Sequence, residues 1–115
     1  MIKIYHNPRC SKSRQTLAIV KENYNDTIEI IEYLKNTPQK QELVEIINKL
    51  GVSPLDLIRK TEPEYKSEIK GKALSDEILI ELMLKFPKLI ERPIVVLNNK
   101  AVIGRPPESV LKILK

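Results

Sequence analysis

The sequence of 115 residues contains one cysteine, one histidine, one phenylalanine and no tryptophan. A lone cysteine excludes an intrachain disulfide and suits a compartment that keeps thiols reduced. One cysteine and one histidine cannot supply the tetrahedral ligand set of a zinc site, so no metal is expected. A single Phe gives little to stack bases on, and there is no long basic run. The net charge of +5 comes from cations interleaved with acids, as in Lys21-Glu22, Lys40-Gln41-Glu42 and Lys66-Ser67-Glu68. Nucleic acid is therefore not the expected partner, and the mild positive bias suits a small anionic substrate equally well. No apolar run reaches membrane-spanning length. The opening Met1-Ile2-Lys3-Ile4-Tyr5 reads as a strand, too short for a signal-peptide core. A cytoplasmic location and a monomer are the expectations. With no repeat, low-complexity segment or long linker, residues 1–115 read as one domain.

The cysteine sits in His6-Asn7-Pro8-Arg9-Cys10-Ser11-Lys12-Ser13-Arg14, between a strand pattern at 2–5 and a helix pattern at 11–23. Polar neighbours and a strand-to-helix junction argue against a buried structural thiol. Helix N-termini and nearby cations lower a thiol pKa from its usual value of about 8.5, so Cys10 reads as a nucleophile. The N–H groups of Ser11, Lys12 and Ser13 should open the helix and can hold an oxyanion beside the sulfur. His6, four residues before the thiol, is either a packing imidazole or a support for the thiolate. Ser13 takes the second place of a C-x-x-S string. It cannot complete a disulfide, so oxidised Cys10 must be resolved by an external thiol such as glutathione, together with a reductase protein.

Fifteen lysines against five arginines make Lys the default cation of this chain. Arg9 and Arg14 flank the cysteine, Arg59 ends a short helical run, and Arg92 and Arg105 each precede a proline. A guanidinium offers a rigid fork of donors suited to oxyanions. Spacing alone leaves open whether these five are ligands or ordinary surface charges.

The rest of the chain reads as a second strand at 28–33, a helix opened by Thr37-Pro38 and ended by Gly51, and a short helix from Ser53-Pro54 to about Lys60. A polar loop over 61–73 follows, then a helix capped by Ser75 with Ile78, Leu79, Leu82, Met83 and Phe86 inward. A hairpin turns at Asn98-Asn99, and a last helix starts at Pro106-Pro107. The order β-α-β, helices, β-β-α resembles the thioredoxin fold, an α/β architecture with a four-stranded mixed sheet, here with a helical insertion at about 37–90 between its halves. That resemblance implies that Pro93 faces the cysteine, usually through a cis peptide bond.

Ile4-Tyr5-His6-Asn7-Pro8, the H-x3-C-x3-R pattern of His6, Cys10 and Arg14, Leu57-Ile58-Arg59-Lys60, Arg92-Pro93-Ile94-Val95-Val96 and Arg105-Pro106 together resemble the glutaredoxin-coupled arsenate reductases. The resemblance implies that the Cys10 thiolate attacks arsenate and that Arg59, Arg92 and Arg105 bind the oxyanion. It implies further that His6 lowers the Cys10 pKa, and that Arg14 and the amides of Ser11, Lys12 and Ser13 complete the anion site. Glutathione is then co-substrate and glutaredoxin the partner that takes the mixed disulfide. Better-known members often have Gly-Thr where this chain has Ser11-Lys12, and the longest members extend further at the C-terminus. Two other readings remain: a monothiol glutaredoxin-like oxidoreductase, and a non-enzymatic Spx-type regulator, whose usual C-x-x-C switch Ser13 excludes.

Overall fold

Strand β1 (Ile2–His6) is central, and that placement decides how its residues are used. In the computed structural model, which describes residues 1–114, the four strands lie in the order β2-β1-β3-β4. Strand β2 (Ile28–Glu32) runs parallel to β1, while β3 (Ile94–Leu97) is antiparallel to β1 and β4 (Lys100–Ile103) antiparallel to β3. Helix α1 (Ser11–Asn23) provides the crossover that a parallel β1/β2 pair requires. This is the element and strand order expected of a thioredoxin-like fold. Ile2 and Ile4 of β1 pack with Val20 of α1, Val95 of β3, and Val110 and Ile113 near the C-terminus. The alternation of the sequence suggested one apolar face for β1, but Tyr5 and His6 are buried as well.

The chain divides into two compact units, Met1–Asn36 with Arg92–Lys115, and Thr37–Glu91. In the second, α2 (Lys40–Leu50) buries Leu43, Ile46 and Ile47 along one stripe. It stops at Gly51, whose φ of 69° lets its N–H turn back to the Ile47 and Asn48 carbonyls, a conformation that penalises any residue with a Cβ. Helix α3 (Pro63–Glu68) lies inside the stretch read from sequence as loop. Its six residues carry no apolar stripe, and its start is marked only by Pro63 in the first turn. Helix α4 (Asp76–Lys85) begins as expected at Ser75, whose hydroxyl accepts from the Ile78 N–H at 3.3 Å.

Four further differences from the sequence reading are local. Helix α2 starts at Lys40 rather than at Pro38, because Gln39 takes the cap. Ile78 is 46% exposed, while Ile80 takes the inward place beside Leu79 and Met83. The segment after Ser53 is a 3-10 turn, Pro54–Leu57, and ends earlier than expected. The last helix, Pro107–Lys112, is also 3-10. No helix among the described residues is long and apolar enough to cross a membrane.

A candidate active site where β1 meets the first helix

Strand register explains why residues far apart in sequence converge on Cys10. His6 ends β1, and Tyr5 pairs with Ile94, so the start of β3 and the Arg92-Pro93 junction lie beside the end of β1. Ile94 pairs with Ile103, which brings the end of β4 to the same edge. The Gly104 N–H donates to the Pro93 carbonyl at 2.9 Å and sets Arg105 next to Arg92. Arg92-Pro93 and Arg105-Pro106 are both cis peptide bonds.

The loop between β1 and α1 is held from within. Asn7 accepts the Arg9 N–H on its side chain at 3.0 Å and the Cys10 N–H on its carbonyl at 3.0 Å. Pro8 has the fixed φ that such a turn favours at its second position. The Asn7 N–H donates to Ser13 Oγ at 3.0 Å, and Arg14 Nη1 donates to the Pro8 carbonyl at 2.9 Å. Cys10 then caps α1, with φ −94° and ψ 123°, and its carbonyl accepts the Arg14 N–H at 3.0 Å.

At the sulfur, Arg105 Nη2 lies 3.5 Å from Cys10 Sγ, while its Nε donates to the Arg92 carbonyl at 2.8 Å. The guanidinium is thus aimed by main chain. Partial burial pushes the Cys10 pKa up, but the Ser13 amide, the Arg92 side chain and the charges of Arg92 and Arg105 pull harder, and the net shift is down. The Ser13 amide acts on the sulfur as an aligned dipole rather than as a fully formed cap hydrogen bond. His6 is buried, with Nδ1 2.7 Å from Ser13 Oγ. Burial lowers its pKa most; Glu32, its neighbour in β2, opposes this, and Arg14 and Lys21 add to the lowering. The net effect favours the neutral ring.

The sequence-named residues sort clearly. Ser11 and Lys12 are exposed in the first turn of α1, and Ser13 is fully buried beneath them. Arg14 turns to the loop carbonyl rather than to the sulfur. Pro93 is buried, Arg92 is half-buried, and Arg105 is exposed. Arg59 belongs to the second unit, where it lies 3.8 Å from Glu62 and 3.6 Å from Glu91. Sequence reasoning missed Thr16 and Gly104. The Thr16 hydroxyl bonds the Lys12 carbonyl at 2.8 Å and reaches the Gly104 carbonyl at 3.4 Å, fastening α1 to the strand that delivers Arg105. The available signal was a glycine directly before Arg-Pro, in a chain with three glycines. Among the described residues no cluster of His, Cys, Asp and Glu could hold a metal ion.

Because the folded thiol pKa is depressed, Cys10 contributes stability above its unfolded pKa, and that contribution is lost as pH falls through the folded value. The rate of Cys10 alkylation by iodoacetamide should accordingly reach half its plateau below the free-thiol pKa of about 8.5. The same midpoint in unfolded protein should be ordinary, and Arg105→Ala should move the folded value upward.

The comparisons agree along the whole chain. The ArsC family model matches residues 5–113. The "Uncharacterized protein YfgD" of Escherichia coli strain K12 is 49% identical over 115 residues, covering 98% of this chain and 96% of that protein. The arsenate reductase of Haemophilus influenzae strain Rd is 45% identical over 113 residues, covering 96% of this chain and 97% of its own. The solved structure of the arsenate reductase from Vibrio cholerae aligns with a TM-score of 0.90 at 46% identity, covering 97% of this chain and 96% of that one. Matches that run nearly end to end at such identities leave one conclusion, that the chain belongs to the ArsC family.

Proposed function

We propose that this protein is an arsenate reductase that uses Cys10 as its one nucleophile and glutathione with glutaredoxin as its reductant. The observation that carries the reading is the Arg105 guanidinium 3.5 Å from Cys10 Sγ, held there by the Arg92 carbonyl. A thiolate at a helix start, with two guanidiniums beside it, is arranged to meet an oxyanion and not merely another thiol. That several relatives carry the name arsenate reductase supports arsenate as the anion.

The chemistry closes with two thiols. The Cys10 thiolate attacks arsenic, a sulfur–arsenic bond forms, and one oxygen leaves as water with arsenic still pentavalent. Glutathione displaces a second oxygen as water. A disulfide then forms between the two sulfurs, arsenic takes the two electrons, and one water adds back to it so that it leaves as arsenite. A second glutathione, working through glutaredoxin, attacks the glutathione sulfur of the mixed disulfide and restores the Cys10 thiolate. Arg92 and Arg105, with Arg59 as the family resemblance implies, bear the charge of the anion. The amides of Ser11, Lys12 and Ser13 face it from the helix, Arg14 braces the loop, Pro93 shapes the wall, and His6 supports the thiolate. The cycle needs a reduced thiol pool, which the cytoplasm supplies.

Glutathione- and glutaredoxin-dependent oxidation of NADPH, coupled through glutathione reductase, tests the reading. Arsenate-dependent turnover should appear with the wild-type protein, and Arg92→Ala should lower kcat/KM for arsenate by about 10²–10³, the usual loss for one preorganised donor. Turnover on a mixed disulfide with none on arsenate would instead make the protein a monothiol oxidoreductase.

A further inference from the structure

We propose that Ser13 is the positioning residue through which His6 reaches the thiolate: neutral His6 accepts the Ser13 hydroxyl at Nδ1 and so fixes the Ser13 backbone N–H on the Cys10 sulfur. This deepens the reading of Cys10 as nucleophile and rests on it.

The available partners, rather than the distances, give the direction of each bond. The Asn7 amide has one hydrogen and donates it to Ser13 Oγ at 3.0 Å. The hydroxyl accepts there, and its own hydrogen, shut off from solvent, has His6 Nδ1 at 2.7 Å as its one acceptor among the described residues. Nδ1 then carries no proton and Nε2 does. Ser13 has no exposed surface, so leaving either end of this relay unpaired would cost a buried polar group its partner. The hydroxyl is thus pinned from the end of β1 by His6 and from the loop by Asn7. The peptide N–H of the same residue belongs to the first turn of α1, which Cys10 caps, and its dipole, held with the hydroxyl, acts on the sulfur. No direct hydrogen bond joins the His6 ring to Cys10 among the described residues; the route runs through Ser13.

The alternative is that His6 works as an imidazolium beside the thiolate. The two routes respond oppositely to substitutions that copy one ring nitrogen. An Asn side chain puts an acceptor near the place of Nδ1, whereas Gln reaches toward the place of Nε2. The charged groups around the ring are Glu32 on β2 and Arg14 and Lys21 on α1, and those around the sulfur are Arg92 and Arg105. None of these changes in the variants.

The experiment is a pH titration of thiolate absorbance in the full chain, with a urea unfolding midpoint for each variant. Because no arsenate is present, failure here is distinct from failure of the reductase reading. His6→Gln and Ser13→Ala should each raise the Cys10 midpoint by about one pH unit, a tenfold loss of thiolate at fixed pH below it. His6→Asn should stay near wild type. The double variant His6→Gln/Ser13→Ala should shift no further than either single change, because both cut the same relay. Should Ser13→Ala fail to fold, the contrast between Asn and Gln at position 6 still decides. Equal upward shifts for both His6 variants, or a Cys10 curve with a second step at the His6 titration, would overturn the proposal.

Discussion

Cys10→Ser should reduce arsenate-dependent turnover to the rate seen without protein, while the fold stays as stable or becomes slightly more so. The loss is complete rather than partial for two separate reasons. A serine hydroxyl is not ionised at neutral pH, so the nucleophile is absent. Even if oxygen condensed with arsenic, it could not form the disulfide that delivers two electrons, and arsenic would stay pentavalent. The fold should tolerate the change because Cys10 occupies the cap of α1, a position where serine is among the preferred residues. A hydroxyl there could gain about 1 kcal/mol by bonding an amide that the thiol engages only weakly. NADPH oxidation and urea denaturation on the same preparation check both halves. Arsenate-dependent turnover above background in Cys10→Ser would remove the sulfur from the mechanism.

Gly104→Ala should destabilise the protein by about 1–3 kcal/mol or more, the range for forcing atoms into a packed site. The cause is steric. A Cβ at Gly104 would meet the Thr16 hydroxyl oxygen at a clashing distance, and Thr16 Cγ2 and Pro93 Cγ at 2.9 Å each. Neither neighbour can yield easily. Thr16 is buried in α1 and its hydroxyl is bonded to the Lys12 carbonyl, and Pro93 is a rigid ring at the start of β3. Any relief moves β4 away from α1 and takes Arg105, the next residue, with it. The Cys10 alkylation midpoint should therefore rise in the variant, in step with the loss of urea stability. Adding Thr16→Ala should restore part of both, since it removes two of the three clashing atoms. If Gly104→Ala unfolds at the wild-type urea concentration, the close packing of these two elements is wrong.

The parts of the fold legible in the sequence were those set by local chemistry. Strand β1, helix α1 and the Ser75 cap all announce themselves through alternation, periodicity or a capping side chain. Gly51 marks its helix end because its left-handed conformation excludes most other residues. Helix α3 was missed because six residues without an apolar stripe carry no periodic signal. Ile78 was misassigned inward because a repeat of Ile and Leu over 78–84 leaves the phase of the buried stripe open, and only packing fixes it. At the site, Cys10 and the Arg-Pro junctions could be found from residue type. The direction of each guanidinium could not, since Arg14 is turned to a carbonyl by the loop and Arg105 is aimed by the Arg92 main chain. The work of Ser13 was equally hidden. A serine one turn into a helix looks like surface, and only the tertiary fold brings His6 over it.

Helix α1 begins without any acidic residue in its first turn. Asp and Glu are favoured there and gain about 0.3–1 kcal/mol from the dipole. This helix leaves that berth empty, and Cys10 as thiolate fills only part of it. If the proposed oxyanion binds there, it meets no carboxylate in that turn and supplies the counter-charge the helix lacks, so that ligand occupancy and the firmness of this corner become two faces of one equilibrium.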